Sequence, residues 1–299
     1  MNKPLLAGAG VTLVALGVAP YFIGTSVQEN VNAAVNEINE QAVYSAEVLS
    51  YDKGWFSTKA EVKLAIDFQA LLNAQNVDQS EMPLEENPSI TATLVAHHGP
   101  VYFGDGVGLG RVHYTVFVDG DELREYVQWD GQQPIYTNEG VVGLLGNLRY
   151  EDVIPALSAT DEEEGFTLLF SGYAGKAVPE GDQTFYTSSG ESLSINADAV
   201  SMKMSNLSMD VTYDGSMMEA FKGELFESKV KALIETMEIT GLEAGETVQL
   251  DNIALITDTE IDEGSNTANV YVEYAIEKVA GPELEASDMV LGVALKNLD

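Results

Sequence analysis

The chain has 299 residues, no cysteine, and 48 acidic side chains against 14 Lys and Arg, for a formal net charge of −34 at neutral pH. So acidic a surface repels nucleic-acid phosphates and anionic lipid headgroups, and the missing thiols exclude disulfides, thiolate catalysis and cysteine-ligated metals. Hydrophobic residues make up 45% of the chain, spread without a long low-complexity tract, which argues for folded structure and against disorder.

From Pro4 to Gln28 no side chain is charged, and Leu5 to Ile23 is almost wholly apolar. A helix of about 20 residues spans the ~30 Å hydrocarbon core, and Lys3 with the terminal amine supplies the positive flank that stays in the cytoplasm. Ala15, Ala19 and Gly24 are small, but no A-x-A ends the run and Pro20 follows Ala19, so an uncleaved anchor is preferred to a cleaved signal peptide. Residues 1–24 are therefore read as a transmembrane signal anchor, with residues 5–23 in the membrane and everything later outside the cytoplasm.

Residues 25–42 read as a juxtamembrane amphipathic helix, because Val27, Val31, Ala34, Val35, Ile38 and Ala42 recur at three- and four-residue spacings. Packing of this stripe on the following domain is preferred to a stalk or dimerising role. From Val43 the period becomes two. Val48, Ser50 and Asp52 alternate with Leu49, Tyr51 and Lys53, and Ala60, Val62, Leu64, Ile66 and Phe68 share one face of a strand. Further strands are expected at Ile90–Phe103, Arg111–Asp119, Phe166–Tyr173 and Gln183–Tyr186.

Ala70–Ala74 is read as a short helical turn, and Asn138–Leu148, leading into Tyr150–Ser158, as helical. Glu191–Tyr213 is a meander in which Leu193, Ile195 and Ala197 are followed by Met202, Met204, Met209 and Val211. Met218–Ile239 is read as strand, and Val248–Asp258, Ala268–Ile276 and Asp288–Leu298 complete the series. The connections are too short for parallel crossovers, so neighbours should pair antiparallel. The expected fold is mainly β with minor α: a transmembrane helix, then a long, curled antiparallel sheet over residues 43–299.

The order of a Lys-bearing anchor, an acidic amphipathic helix, Tyr51-Asp52-Lys53-Gly54-Trp55-Phe56-Ser57 opening a long strand, and His98-Gly99-Pro100 closing the next resembles the YdgA/YihF-like family of bacterial proteins. The terminal run with Leu250-Asp251-Asn252-Ile253, Tyr274 and Leu295-Lys296-Asn297-Leu298-Asp299 is similar to it as well. The resemblance implies a fold and a place in the bacterial inner membrane, single-pass, with a cytoplasmic amino terminus and a periplasmic bulk. It carries no catalytic signature. Leu298-Asp299 reads as the start of a further C-terminal segment.

The chemistry-bearing motifs are sparse. His97 and His98 alternate along one strand, and no i,i+4 His pair or H-E-x-x-H supports a metal, so His98-Gly99-Pro100 is read as a strand-end structural motif together with Gly54. A zinc site joining His98 to His113 across a hairpin is the disfavoured alternative. Gly104 to Gly110 matches neither phosphate-loop pattern and reads as a hairpin loop, while Asp258, Glu260 and Asp262 lack the glycine and glutamate positions of a calcium loop. No catalytic, cofactor-binding or metal-ligating residue is assigned.

Trp55, Phe56, Met202, Met204 and Met209 are the candidate contacts to a partner or ligand; for the aromatics a core plug, and for the methionines an ordinary sheet core, is the preferred reading. The function expected is non-enzymatic: an envelope binding or scaffold protein contacting an apolar ligand or a protein partner. The alternatives are a lipid-handling module with an open apolar groove and a hydrolase using carboxylates or His98. Topology is directly testable: alkaline phosphatase fused after Gln41 should be active in cells, whereas activity of a cytoplasmic reporter at that point would reverse the orientation.

Overall fold

The computed structural model describes residues 27–40, 43–67, 89–98, 101–103, 107–109, 112–143, 147–161, 165–181, 183–214, 227–241, 245–262 and 267–298. The expected anchor and the Ala70–Ala74 turn lie outside them. Among the described residues no helix is long and apolar enough to cross a membrane. The chain divides into two units, residues 1–154 and 155–299.

In the first unit, helix α1 (Val27–Glu40) lies beside an antiparallel sheet ordered β1 (Tyr44–Lys53), β2 (Ser57–Ile66), β3 (Ser89–His98), β6 (Val112–Val118), β7 (Tyr136–Val142) and β8 (Leu148–Ile154). Strands β4 (Val101–Phe103) and β5 (Val107–Leu109) form a separate two-stranded hairpin between β3 and β6, so the run expected over Ile90–Phe103 is divided. The period-two pattern decides which face is buried. Ala60, Val62, Leu64 and Ile66 on β2, Ile90, Ala92, Leu94 and Ala96 on β3, and Val112, Tyr114, Val116 and Val118 on β6 are all buried. Val31, Ala34 and Ile38 of α1 are buried too, so the helical stripe is core and not a free dimerising surface. The Asn39 side chain fixes the helix end to β1, donating to the Ala46 carbonyl at 2.9 Å and accepting from the Ala46 amide at 2.7 Å.

The helix expected over Asn138–Leu148 and onward is not formed. Residues 136–142 and 148–154 are strands β7 and β8, and Leu157–Asp161 is β9. The reason is tertiary: Tyr136, Asn138, Gly140 and Val142 present one buried side to the sheet core. Gly140 is required there, because a Cβ would stand 2.5 Å from the Tyr114 ring on the paired strand.

The second unit comprises β9, β10 (Phe166–Phe170), β11 (Tyr173–Glu180), β12 (Gln183–Ala197), β13 (Val200–Asp214), β14 (Ser228–Gly241), β15 (Glu246–Asp262), β16 (Thr267–Gly281) and β17 (Leu284–Leu298). From β11 to β17 each strand pairs antiparallel with the next, and β10 joins β9 to β12. Gln183–Tyr186 and the first pass of the meander are one continuous strand, β12, and the last three strands run beyond the bounds their apolar residues suggested.

Along these strands the apolar positions change phase. On β13 they are Met202 and Met204, then Leu207, Met209 and Val211; on β14, Val230, Ala232 and Ile234, then Met237 and Ile239. The change falls at one line across the sheet, where Glu191, Asn206, Glu235, Asn252, Glu277 and Asp288 face one another at positions the ladders skip while the register resumes unshifted on either side. Asn206, Asn252 and Asp288, on alternate strands, have φ of 54°, 51° and 53°. Left-handed backbone breaks the strict alternation of side chains, and Asn and Asp are the non-glycine residues that adopt it at least cost. The odd residue is absorbed there, and the apolar rows above and below the line share one side of the sheet. Asn206 donates to the Glu235 carboxylate at 2.5 Å, and Asn252 donates to that of Glu277.

The line can be tested by denaturant unfolding. Asn252→Val places a β-branched residue at positive φ and should cost about 1–3 kcal/mol, whereas Asn252→Gly should be close to neutral; equal stabilities would show that the backbone there is ordinary strand.

Candidate functional site

The candidate site is the apolar side of the second unit. Its rows follow from the register: Leu193, Met204, Met237, Leu250 and Val279 stand side by side on successive strands, as do Leu207, Ile234, Ile253, Ile276 and Met289 beyond the line. Met202, Met204 and Met209 are all half-buried, neither sealed nor open. Among the described residues of this unit there is no helix to cover the sheet. Exposure is highest at its edge, where Tyr274 is 52% and Leu291 65% exposed. A surface of Met, Leu, Ile and Val with no charge in its rows has no group to polarise a bond or orient a polar ligand. It can hold apolar matter by burial alone, and the methionines adapt it to irregular shapes.

Trp55 and Phe56 sit at the tip of the β1–β2 hairpin, 95% and 75% exposed, so the core plug expected for them is wrong. The hairpin closes at Gly54, whose amide donates to the Ser57 carbonyl at 2.7 Å, and this tight return leaves the two aromatics no neighbouring strand to pack on. Behind the tip of the same hairpin the Lys59 ammonium, 2.8 Å from Glu61, and then the Ser50 hydroxyl hold the Glu61 carboxyl below its ordinary value. These are solvent-facing pairs. In the second unit a hydrogen bond to the Glu273 carboxylate raises the Tyr271 phenol.

His97, not His98, pairs with His113 across β3 and β6, and their rings stack 6.3 Å apart. His113 Nε2 lies 2.8 Å from a Glu139 carboxylate oxygen. Among the described residues no three potential ligands gather to hold a metal. Gly99 and Pro100, with the His98 side chain, lie outside the described residues. Asp258 forms an ion pair with Lys229 at 3.2 Å from within β15, as part of a strand and not of a loop.

A polar group on the buried side of the first unit was not singled out from the sequence. Tyr114, Tyr136, Asn138, Tyr150 and Asp152 lie on β6, β7 and β8, all buried, with Asn138 directly paired to Asp152. Among the described residues the Asn138 amide has no hydrogen-bonding partner. The signal that could have found it is Asn138 itself, a polar residue at a core-phase position between Tyr136 and Gly140.

The sequence profile of DUF945, a bacterial protein family of unknown function, matches residues 1–299. The chain belongs to that family. No curated protein and no solved structure matches it. For this DUF945 chain, therefore, the geometry of the two units is what distinguishes one chemistry from another.

A purely structural Asn138 makes a definite forecast. Replacing a buried, unpartnered amide by a similar-sized apolar group removes a desolvation penalty of about 1–3 kcal/mol, so Asn138→Leu should raise the melting temperature; a fall would show that the amide is satisfied in the folded protein by something it binds.

Proposed function

We propose that this chain is a non-enzymatic binding protein of the bacterial envelope that receives acyl chains on the apolar side of its second unit. The observation that carries the reading is a pair of charge-free apolar rows across β12 to β17, one on each side of the polar line, whose methionines are half-buried under no helix of the described unit. An ordinary sheet core would seal such rows, as the inner side of β2, β3 and β6 is sealed in the first unit. The acidic surface supports the choice of acyl chain over headgroup, since an excess of negative charge repels anionic headgroups but leaves hydrocarbon burial untouched.

In this reading residues 5–23 anchor the protein in the inner membrane and the rest faces the periplasm, which gives the apolar surface access to lipid. Trp55 and Phe56, paired aromatics at a hairpin tip, are the membrane or partner contact, since amphipathic rings favour the boundary between water and hydrocarbon. The narrower YdgA/YihF-like assignment within the family rests on the Tyr51–Ser57 element and on His98-Gly99-Pro100.

Met204→Asp tests the binding surface. At a half-buried position the carboxylate can hydrate, so the protein should stay folded with a melting temperature within a few degrees of wild type while lipid recovered by solvent extraction of the purified protein falls severalfold. Collapse of stability by several kcal/mol would show a closed core, and unchanged lipid in a folded variant would remove the acyl-chain reading.

A further inference from the structure

The β1–β2 hairpin ends in a two-residue turn. Lys53 pairs with Thr58, the Gly54 amide donates to the Ser57 carbonyl at 2.7 Å, and Trp55 and Phe56 lie between them. Such turns favour Asn, Asp and Gly, whose backbones accept the positive φ that a tight hairpin asks for. Here the two central residues are large aromatics, neither of them at positive φ, and they are 95% and 75% exposed. Neither turn chemistry nor core packing accounts for the two rings, so their burial is left for a contact outside the unit. Charge singles out the same place. From Asp52 to Glu61 two lysines offset two acids, in a chain whose formal charge is −34. Lys59 stands opposite Asp52 and bonds Glu61 at 2.8 Å, while Lys53, beside the aromatics, makes no ion pair among the described residues.

The path of the chain brings this tip to the membrane end of the unit. Helix α1 starts at Val27, four residues after the apolar run ends at Ile23, a reach of no more than about 14 Å. Its 14 residues rise about 21 Å. The chain then turns back, since β1 begins at Tyr44, is tied to the helix end through Asn39 and Ala46, and packs along α1. The 10 residues of β1 cover about 33 Å. The tip therefore passes the level of Val27 by roughly 12 Å, on the side from which the apolar run leads into the helix.

We propose that the hairpin tip docks on the bilayer that holds the anchor, with Trp55 and Phe56 in the interfacial layer and Lys53 among the headgroups. This rests on the reading of residues 5–23 as an inner-membrane anchor, and it decides the contact of the two aromatics in favour of lipid over a protein partner. Rings at headgroup level bury apolar area without entering the hydrocarbon centre, and a lysine beside them is attracted by anionic lipid that repels the rest of this acidic chain. A second point of attachment fixes the first unit against the membrane instead of leaving it free about its anchor.

Fluorescence quenching tests the docking on the full chain reconstituted in vesicles of phosphatidylcholine and phosphatidylglycerol, with brominated acyl chains as the membrane quencher and iodide as the aqueous one. The tryptophans are Trp55 and Trp129, so the signal that wild type has and Trp55→Phe lacks belongs to Trp55. Substitution at so exposed a position leaves the fold intact. Trp55 should be quenched severalfold more by bromine placed near the headgroup than by bromine near the chain end, and it should be shielded from iodide. Lys53→Glu should lower the bromine quenching severalfold. Free access of iodide with no bromine quenching would overturn the proposal. So would shielding from iodide without bromine quenching, which marks a protein partner or a second copy on the tip, and so would bromine quenching unchanged in Lys53→Glu. Flotation with the vesicles separates two failures: a chain that floats while Trp55 stays in water keeps its anchor and loses the docked tip, whereas a chain that does not float loses both.

Discussion

Side chains on an extended strand must alternate between the two sides of a sheet, and the second unit depends on how its long strands handle that rule. Strands of 14 to 17 residues, with apolar positions out of phase between their two halves, would place half of their hydrophobic groups on each side. The left-handed residues Asn206, Asn252 and Asp288, on alternate strands and opposite Glu191, Glu235 and Glu277, mark the one level at which the phase changes across the sheet. Polar side chains occupy the line itself, where the ladder is interrupted and backbone groups are left to other partners. The methionine rows share one side, while the charged residues share the other with an apolar row of Leu233, Ala254, Ala275 and Val290.

The two units use the same alternation to opposite ends. In the first, every second residue of β2, β3 and β6 is sealed, and α1 contributes Val31, Ala34 and Ile38 to that sealed core. In the second, buried apolar residues are few, among them Ala159, Ala177, Tyr186, Tyr213, Ala268 and Val279, while the rows between them stay half-buried. Hydrophobic burial left incomplete over so long a surface is stabilisation withheld from the isolated fold and available to whatever completes it. Backbone hydrogen bonds run along the long ladders that hold such a sheet together, with no second layer among the described residues.

Acidity and apolarity are separated in space by this arrangement. Charged side chains such as Lys203, Asp210, Lys229, Lys231 and Glu238 alternate with the apolar rows and are exposed on the strands that carry them. The excess charge therefore repels anionic surfaces without entering the apolar rows. A surface organised this way discriminates by hydrophobicity on one side and by charge on the other.

Much of the architecture was legible because it rests on local periods. The three- and four-residue spacing over residues 27–40 specified α1, and the period-two runs at Ala60–Ile66 and Arg111–Asp119 specified β2 and β6 with the correct buried side, since a repeat within one element needs no knowledge of its neighbours. Asn138–Leu148 was misread because its apolar residues also fit a helix, and only the Tyr114 ring against Gly140, brought from another strand, makes the extended form the one that packs. Trp55 and Phe56 have the composition of core residues, and the tight return at Gly54 alone decides that they face solvent. The methionine stripe was visible in the sequence; its half-buried state and its continuity past Asn206 were not, because both depend on six strands held in register. The sequence by itself determined the acidic charge, the β class and the amphipathic helix, all of which are sums or repeats along one stretch of chain. Which side is sealed, which stays half-buried, and where the phase resets were decided by tertiary structure, because those properties belong to residues from different strands that meet only when the sheet has formed.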